Sequence, residues 1–241
     1  MNRMFALLVM LLHLTVSVPC PVWAQSKEQG EALLSEALEM QGRATTKEEF
    51  ESVVHKLQQA VSAFEAANHH EGTAAANLQL GQVYLTRLKM FESAREYFVK
   101  ALEAFTRNND VKGQGAALNG LGRVARCQGQ TEQSLAFHEQ ALSASRRASD
   151  MKTEIRSLHA LGEIHRDAGR YDKAADYYTQ LLDVAGKAGR HSDQMCALKN
   201  LGYVFKKTAR FEQSSEYYGK ALALAREQKD REEQARCLNR L

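Results

Sequence analysis

The sequence predicts an all-α fold, an array of antiparallel helix hairpins stacked one on the next behind a short N-terminal leader. Three observations predict it. A forty-residue step links Leu118, Leu158, Leu198 and Leu238, then Leu121, Leu161, Leu201 and Leu241, then Gly122, Gly162 and Gly202. Self-similarity at such a period marks a repeat architecture. Within each step the apolar residues fall three or four apart, as in "ALNGLGRVARC", rather than alternating. Both prolines, Pro19 and Pro21, lie near the N-terminus. Their absence from everything that follows favours long helices.

The leader comes first in the chain. "MNRMFALLVMLLHLTVSV" carries one arginine and then an apolar run from about Met4 to Val18, followed by "PCPVWAQ". Val22 and Ala24 are the small residues that precede a cut, so residues 1–24 read as a secretory signal peptide cleaved after Ala24. The run is shorter than the ~20 residues that span a bilayer, so no stable membrane span is expected after cleavage. Pro19, just before Cys20, departs from the pattern of a lipidated cysteine. The expected location is therefore exported, periplasmic or secreted.

Residues 25–241 read as the array. "TKEEFESVVHKLQQAVSAFEAA" matches the second half of a unit, and "EALLSEALEMQGRA" before it is degenerate, giving a broken first unit at about 30–72. Complete units follow at about 73–113, 114–153, 154–193 and 194–233, the first with a single extra residue that lengthens the step from Gly81 to Gly122 to 41. Residues 234–241 begin another first helix, in which Leu238 and Leu241 are expected to point inward. That ending fits a short cap on the last unit, or the leading piece of a longer array with an effector domain after it.

Within a unit, Gly129 and Gly169 suit the left-handed residue that ends a first helix. Asp150 and Asp230 stand where the next helix needs an N-cap. The glycine after "L-x-x-L" lets the first helix approach the second closely, and the small residues Ala94, Ser134, Ala174 and Ser214 do the same from the other side.

"LHALGEIHRDAGRYDKAADYYTQLL" (158–182) closely resembles the tetratricopeptide repeat, and the resemblance covers about 30–241. It departs in period, about 34 residues being usual, and in lacking a proline near the end of the second helix. The chain is more similar to the forty-residue variety of peptide-binding adaptors. The resemblance implies a right-handed α-solenoid whose first helices line a concave groove. Matched residue by residue, that lining includes Ala75, Leu78, Gln82, Leu85 and Thr86. It continues through Asn119, Arg123, Arg126, Arg156, His159, Glu163, Arg166 and Asp167, then Lys199, Tyr203, Lys206, Lys207 and Arg236. Eight of these are basic and two acidic, so the lining carries +6 in a chain of net charge +3. One-sign charge on a concave face focuses field toward an opposite charge. The same pattern also fits solvated side chains on an ordinary surface. The Lys/Asn/Arg set with which some members hold a C-terminal carboxylate is not reproduced. Lys199 fits one position, but Tyr203 stands where asparagine is expected; Asn200 could still bond a ligand backbone.

Catalytic signatures such as HExxH, GxSxG and GxxxxGK[ST] are absent from the sequence, and no cofactor, catalytic residue or metal site is expected. His159 and Glu163 share a helix face, but His165 turns off it into the helix seam, too few ligands for a metal. The "HH" at 69–70 reads as a solvated turn. Tyr97–Phe98, Tyr177–Tyr178 and Tyr217–Tyr218 read as core. Cys127, Cys196 and Cys237, odd in number and widely spaced, read as small apolar residues rather than a disulfide scaffold. The expected function is a non-enzymatic scaffold that binds an acidic peptide or protein segment, with self-association left open. The alternative is the sensory part of a longer protein with an enzymatic, protease-like domain. Nucleic-acid binding is disfavoured, because exposed aromatics do not interleave with the basic residues.

Overall fold

A computed structural model describes residues 22–241, and every element among them is helical. Residues 1–21 of the expected signal lie outside the described residues. Helix α1 (Val22–Arg43) runs through the expected cleavage point and pairs with α2 (Lys47–Ala66), so the degenerate first unit is a full hairpin. The later hairpins are α3 (His70–Val83) with α4 (Phe91–Arg107), α5 (Val111–Cys127) with α6 (Thr131–Arg147), and α7 (Met151–Asp167) with α8 (Tyr171–Lys187). They are followed by α9 (His191–Lys207) with α10 (Phe211–Glu227), and by a lone α11 (Arg231–Leu238). The chain is an α-solenoid. Each helix packs on the next in sequence, and first helices also contact the first helices of adjacent units, which puts them on the inner side of the stack.

Every turn from α2 onward except the one between α3 and α4 closes in the same way. The residue after the helix cap is left-handed, and the next N–H bonds the carbonyl five residues back, as in Gln130 N to Ala125 O at 2.9 Å and Asp110 N to Phe105 O at 2.9 Å. This satisfies carbonyls that a helix end otherwise leaves unpaired. Glycine supplies the left-handed residue at 129, 169 and 189; Asn68, Lys89, Asn109, Ser149, Ala209 and Lys229 adopt it without that freedom. Asp110 and Asp230 cap α5 and α11 by accepting from Gly113 N and Glu233 N. Asp150, expected to do the same, instead accepts from the Thr153 hydroxyl at 2.5 Å. His69 is half-buried rather than solvated, because its Nδ1 accepts from Gly72 N and so caps α3.

The extra residue of the first complete unit sits in a π-helical turn, Tyr84–Leu88, that finishes the first helix. One inserted residue widens a single turn while the flanking ladder continues. The insertion also shifts the register behind it. Leu85 falls where Ala125 stands in the next unit and is buried against Phe98, Leu121 and Val124, not on the inner face as expected.

The core runs as a seam between first and second helices. At the glycine that recurs in each of four first helices, a ring from the second helix of the same hairpin lies where a Cβ would stand: Phe98 over Gly81, His138 over Gly122, Tyr178 over Gly162 and Tyr218 over Gly202. The small residue opposite closes the contact, and where it is serine, at 134 and 214, its hydroxyl donates at 2.8 Å to the carbonyl of Gly122 or Gly202. Tyr97, Tyr177 and Tyr217 stack at the seam edge on Tyr84, His165 and Phe205. The terminal leucines depart from expectation. In α11 only Cys237 is buried, whereas Leu238 and Leu241 are 55% and 54% exposed. Their equivalents Leu158 and Leu161 pack against the second helix of their own hairpin.

Candidate binding surface on the first helices

The residues expected to line the inner face divide into those that hold the stack together and those that do not. Arg126 on α5 pairs with Glu163 on α7. Arg166 on α7 donates to Asn200 Oδ1 on α9 at 2.9 Å and pairs with Asp167 at the same distance. Lys199 on α9 meets Glu233 on α11 at 2.7 Å, and Arg236 pairs with Glu232 and Glu233. The first helices α5, α7, α9 and α11 are thus pinned each to the next. The Lys199 contact holds the Glu233 carboxyl below the usual carboxylate range. Glu233 was not among the expected lining residues.

Arg123, Arg156, Lys206 and Lys207 form no ion pair among the described residues; Lys207 lies over the Tyr203 ring, 5.5 Å from its centroid. Arg123 is half-buried while Arg156, Lys206 and Lys207 are exposed. Asn119 is buried, its amide donating to Ser157 Oγ at 3.3 Å and lying 3.4 Å from His138 Nδ1, so it belongs to the wall of this surface.

Between α7 and α9 the polar contacts run on. His159 Nδ1 is 3.6 Å from Glu163, its Nε2 is 3.1 Å from Cys196 Sγ, and Asn200 Nδ2 donates to the Cys196 carbonyl at 3.0 Å. Burial, with Glu163 nearby, pushes the Cys196 thiol up. The thiol therefore keeps its proton and donates toward the imidazole, a bridge between helices rather than a thiolate nucleophile. His165 faces away, buried against Tyr177 at 5.3 Å between ring centroids, and burial lowers its pKa. The described residues contain no group of three His, Cys, Asp or Glu placed to hold a metal ion. No described helix is long and apolar enough to cross a membrane.

His138 falls on the second-helix stripe that the three-or-four spacing of Ser134, Phe137, Ala141 and Leu142 predicts. It fills the place of Phe98, Tyr178 and Tyr218, is 0% exposed, and its Nε2 has no hydrogen-bond partner. Burial, with Arg126 and Arg123 near it, lowers its pKa to about 4. The forty-residue step from Phe98 to Tyr178 runs through it.

Three family models described as tetratricopeptide repeat match residues 74–106, 113–187 and 197–232, together more than half of the chain. No curated protein sequence matches significantly. Several solved structures are similar. Aspartyl phosphate phosphatase F from Bacillus subtilis aligns at TM-score 0.69 and 13% identity, over 90% of this chain and 54% of that one. A signal transduction ATPase with numerous domains and a tetratricopeptide repeat sensor, from Pyrococcus horikoshii, aligns at TM-score 0.73 and 19% identity, over 89% and 32%. PilF of Pseudomonas aeruginosa aligns at TM-score 0.63 and 18% identity, over 88% and 90%. This chain thus spans about half of the first and a third of the second. At such identities the likeness is one of fold. The matched repeats coincide with the hairpins in which a glycine of one helix receives a ring from the next, and the chain belongs to the tetratricopeptide repeat family.

Proposed function

We propose that the chain is an exported, non-catalytic binding scaffold that captures an acidic segment of a partner protein along its first helices. One observation carries this reading. On a surface where Arg126, Arg166, Lys199 and Arg236 all have carboxylate partners, Arg123, Arg156, Lys206 and Lys207 have none. Exposed cations of one sign speed and orient the capture of an opposite charge, and a rigid stack leaves most of the ordering cost to the ligand. The inter-helix pairs supply that rigidity. A second reading, the sensing portion of a larger protein, draws on the Pyrococcus horikoshii protein, whose repeats are named as a sensor and of which this chain matches a third.

The test is selection from a random peptide library displayed on phage, with the full chain as bait. Enriched peptides should carry net negative charge, and binding of a consensus peptide should weaken steeply as salt rises. The combined change Arg156→Glu, Lys206→Glu and Lys207→Glu should abolish it. Enrichment of peptides without regard to charge, or binding indifferent to the triple change, would contradict the proposal.

A further inference from the structure

Between α5, α7 and the start of α9 the inner face sinks into a recess of about 320 Å³, lined among others by Asn119, Arg123, Arg126, Arg156, Glu163 and Asp193. Its two carboxylates are already taken, Glu163 by Arg126 and Asp193 by Arg190 at 2.5 Å. His138 at its back is buried and, with its lowered pKa, neutral near pH 7. The charges left over are Arg123, half-buried, and Arg156, exposed, one from each of two neighbouring first helices. Burial pulls Arg123 below the usual arginine range, and the Arg156 and Arg126 guanidiniums add to the effect. A half-buried guanidinium crowded by two others, with no counter-charge of its own, is a costly arrangement unless an anion enters.

The geometry points to a subsite for a doubly charged oxyanion, a phosphate monoester, held between Arg123 and Arg156. Two unopposed positive charges match a dianion, whereas a single carboxylate would leave one of them unopposed. The planar guanidinium forks pair naturally with the several oxygens of a phosphoryl group, each fork taking two. The inference rests on the reading above in one respect, that this surface receives a ligand, and it names the chemistry at one point of it. The phosphoryl group has two sources, a small phosphate monoester or a phosphorylated side chain within the captured segment.

Calorimetric titration of the full chain with phenyl phosphate, and with acetate at matched ionic strength, tests the subsite. Phenyl phosphate should bind at least about tenfold more tightly than acetate. Arg123→Gln or Arg156→Gln should each weaken it about tenfold, the scale of a charge-assisted contact, while the pair Arg107→Gln and Arg147→Gln, exposed on the second helices α4 and α6, leaves it unchanged. Arg156 is exposed and unpaired, so Arg156→Gln keeps the test valid should Arg123→Gln fold poorly. Equal binding of phosphate and acetate, or phosphate binding indifferent to Arg156→Gln, overturns the proposal. A library-selected acidic peptide made with phosphoserine or with glutamate at one position separates the sources. A tenfold gain from phosphoserine, lost in Arg156→Gln, identifies a phosphorylated side chain; phenyl phosphate binding without that gain identifies a small phosphate monoester. Acidic peptides that bind while phosphate shows no preference would sink the subsite and leave the wider reading intact. Phosphate held in the recess with no acidic peptide captured would do the reverse.

Discussion

Replacing Gly162 with valine is expected to destabilise the chain by about 3 kcal/mol, read as a fall of about 6–12 °C in melting temperature. A Cβ at this position would stand 2.5 Å from Tyr178 Cε1, 2.8 Å from Cδ1 and 2.9 Å from Cζ. The ring cannot swing aside. Tyr178 is fully buried among Leu158, Leu161, Leu181 and Leu201 in the largest cluster of the core. Either the ring shifts and disturbs two hairpins, or α7 moves away from α8 and the packing of the seam opens. Gly219 provides the control, since it is also inside a helix but a Cβ there would meet nothing within 4 Å. Gly219→Ala should stabilise by about 0.5–1 kcal/mol, through helix propensity alone. Thermal melts of both variants check the pair. Gly162→Val melting with the wild type would mean that the ring does not need the glycine.

His138 should make the chain sensitive to acid in a way that His138→Phe does not. In the unfolded chain its imidazole takes a proton near pH 6.5, whereas in the folded chain it resists until about pH 4. Above pH 6.5 both states hold it neutral and it costs nothing. As pH falls from 6.5 towards 4 the unfolded state gains protons that the folded state refuses, so stability drains by about 3 kcal/mol over that window. Phenylalanine fits the position, since Phe98 occupies the equivalent place over Gly81. The Asn119 amide would keep its bond to Ser157 Oγ. Urea unfolding of wild type and His138→Phe at pH 7 and at pH 4 measures the difference; surface carboxylates titrate in both proteins and cancel. The gap should widen by about 3 kcal/mol at the lower pH. Parallel losses in the two proteins would show that His138 reaches a partner or water.

The hairpins were readable because one local contact, glycine against a ring, recurs at a fixed step and leaves its mark on the sequence four times. The same step located the extra residue of the first complete unit without saying how the backbone absorbs it. A π-helical turn at Tyr84–Leu88 moves Leu85 from the inner face to the core, and no residue type in "YLTRL" announces that. The left-handed turns were readable at Gly129 and Gly169 but not at Ala209 or Lys89, where the hairpin geometry imposes the conformation on residues that do not favour it.

The inner surface was readable as a set of residues but not as a set of partners. Arg126 and Glu163, or Lys199 and Glu233, stand 34 to 37 residues apart, and whether they meet depends on the rotation from one unit to the next. The leucines of α11 show the same limit. Their repeat positions predict burial, but burial at those positions is supplied by a second helix of the same hairpin, and the described residues include none after α11.

The central claim is that the cations left unpaired on the first helices are where a ligand is held. Arginine-selective chemical footprinting, read by mass spectrometry with and without a selected acidic peptide, addresses it most directly. Arg123 and Arg156, on α5 and α7, should lose reactivity when the peptide is present. Arg107 and Arg147, exposed on the second helices α4 and α6, should react as before. Protection confined to Arg107 and Arg147, or absent from Arg156 while the peptide is bound, would place the ligand elsewhere and contradict the account.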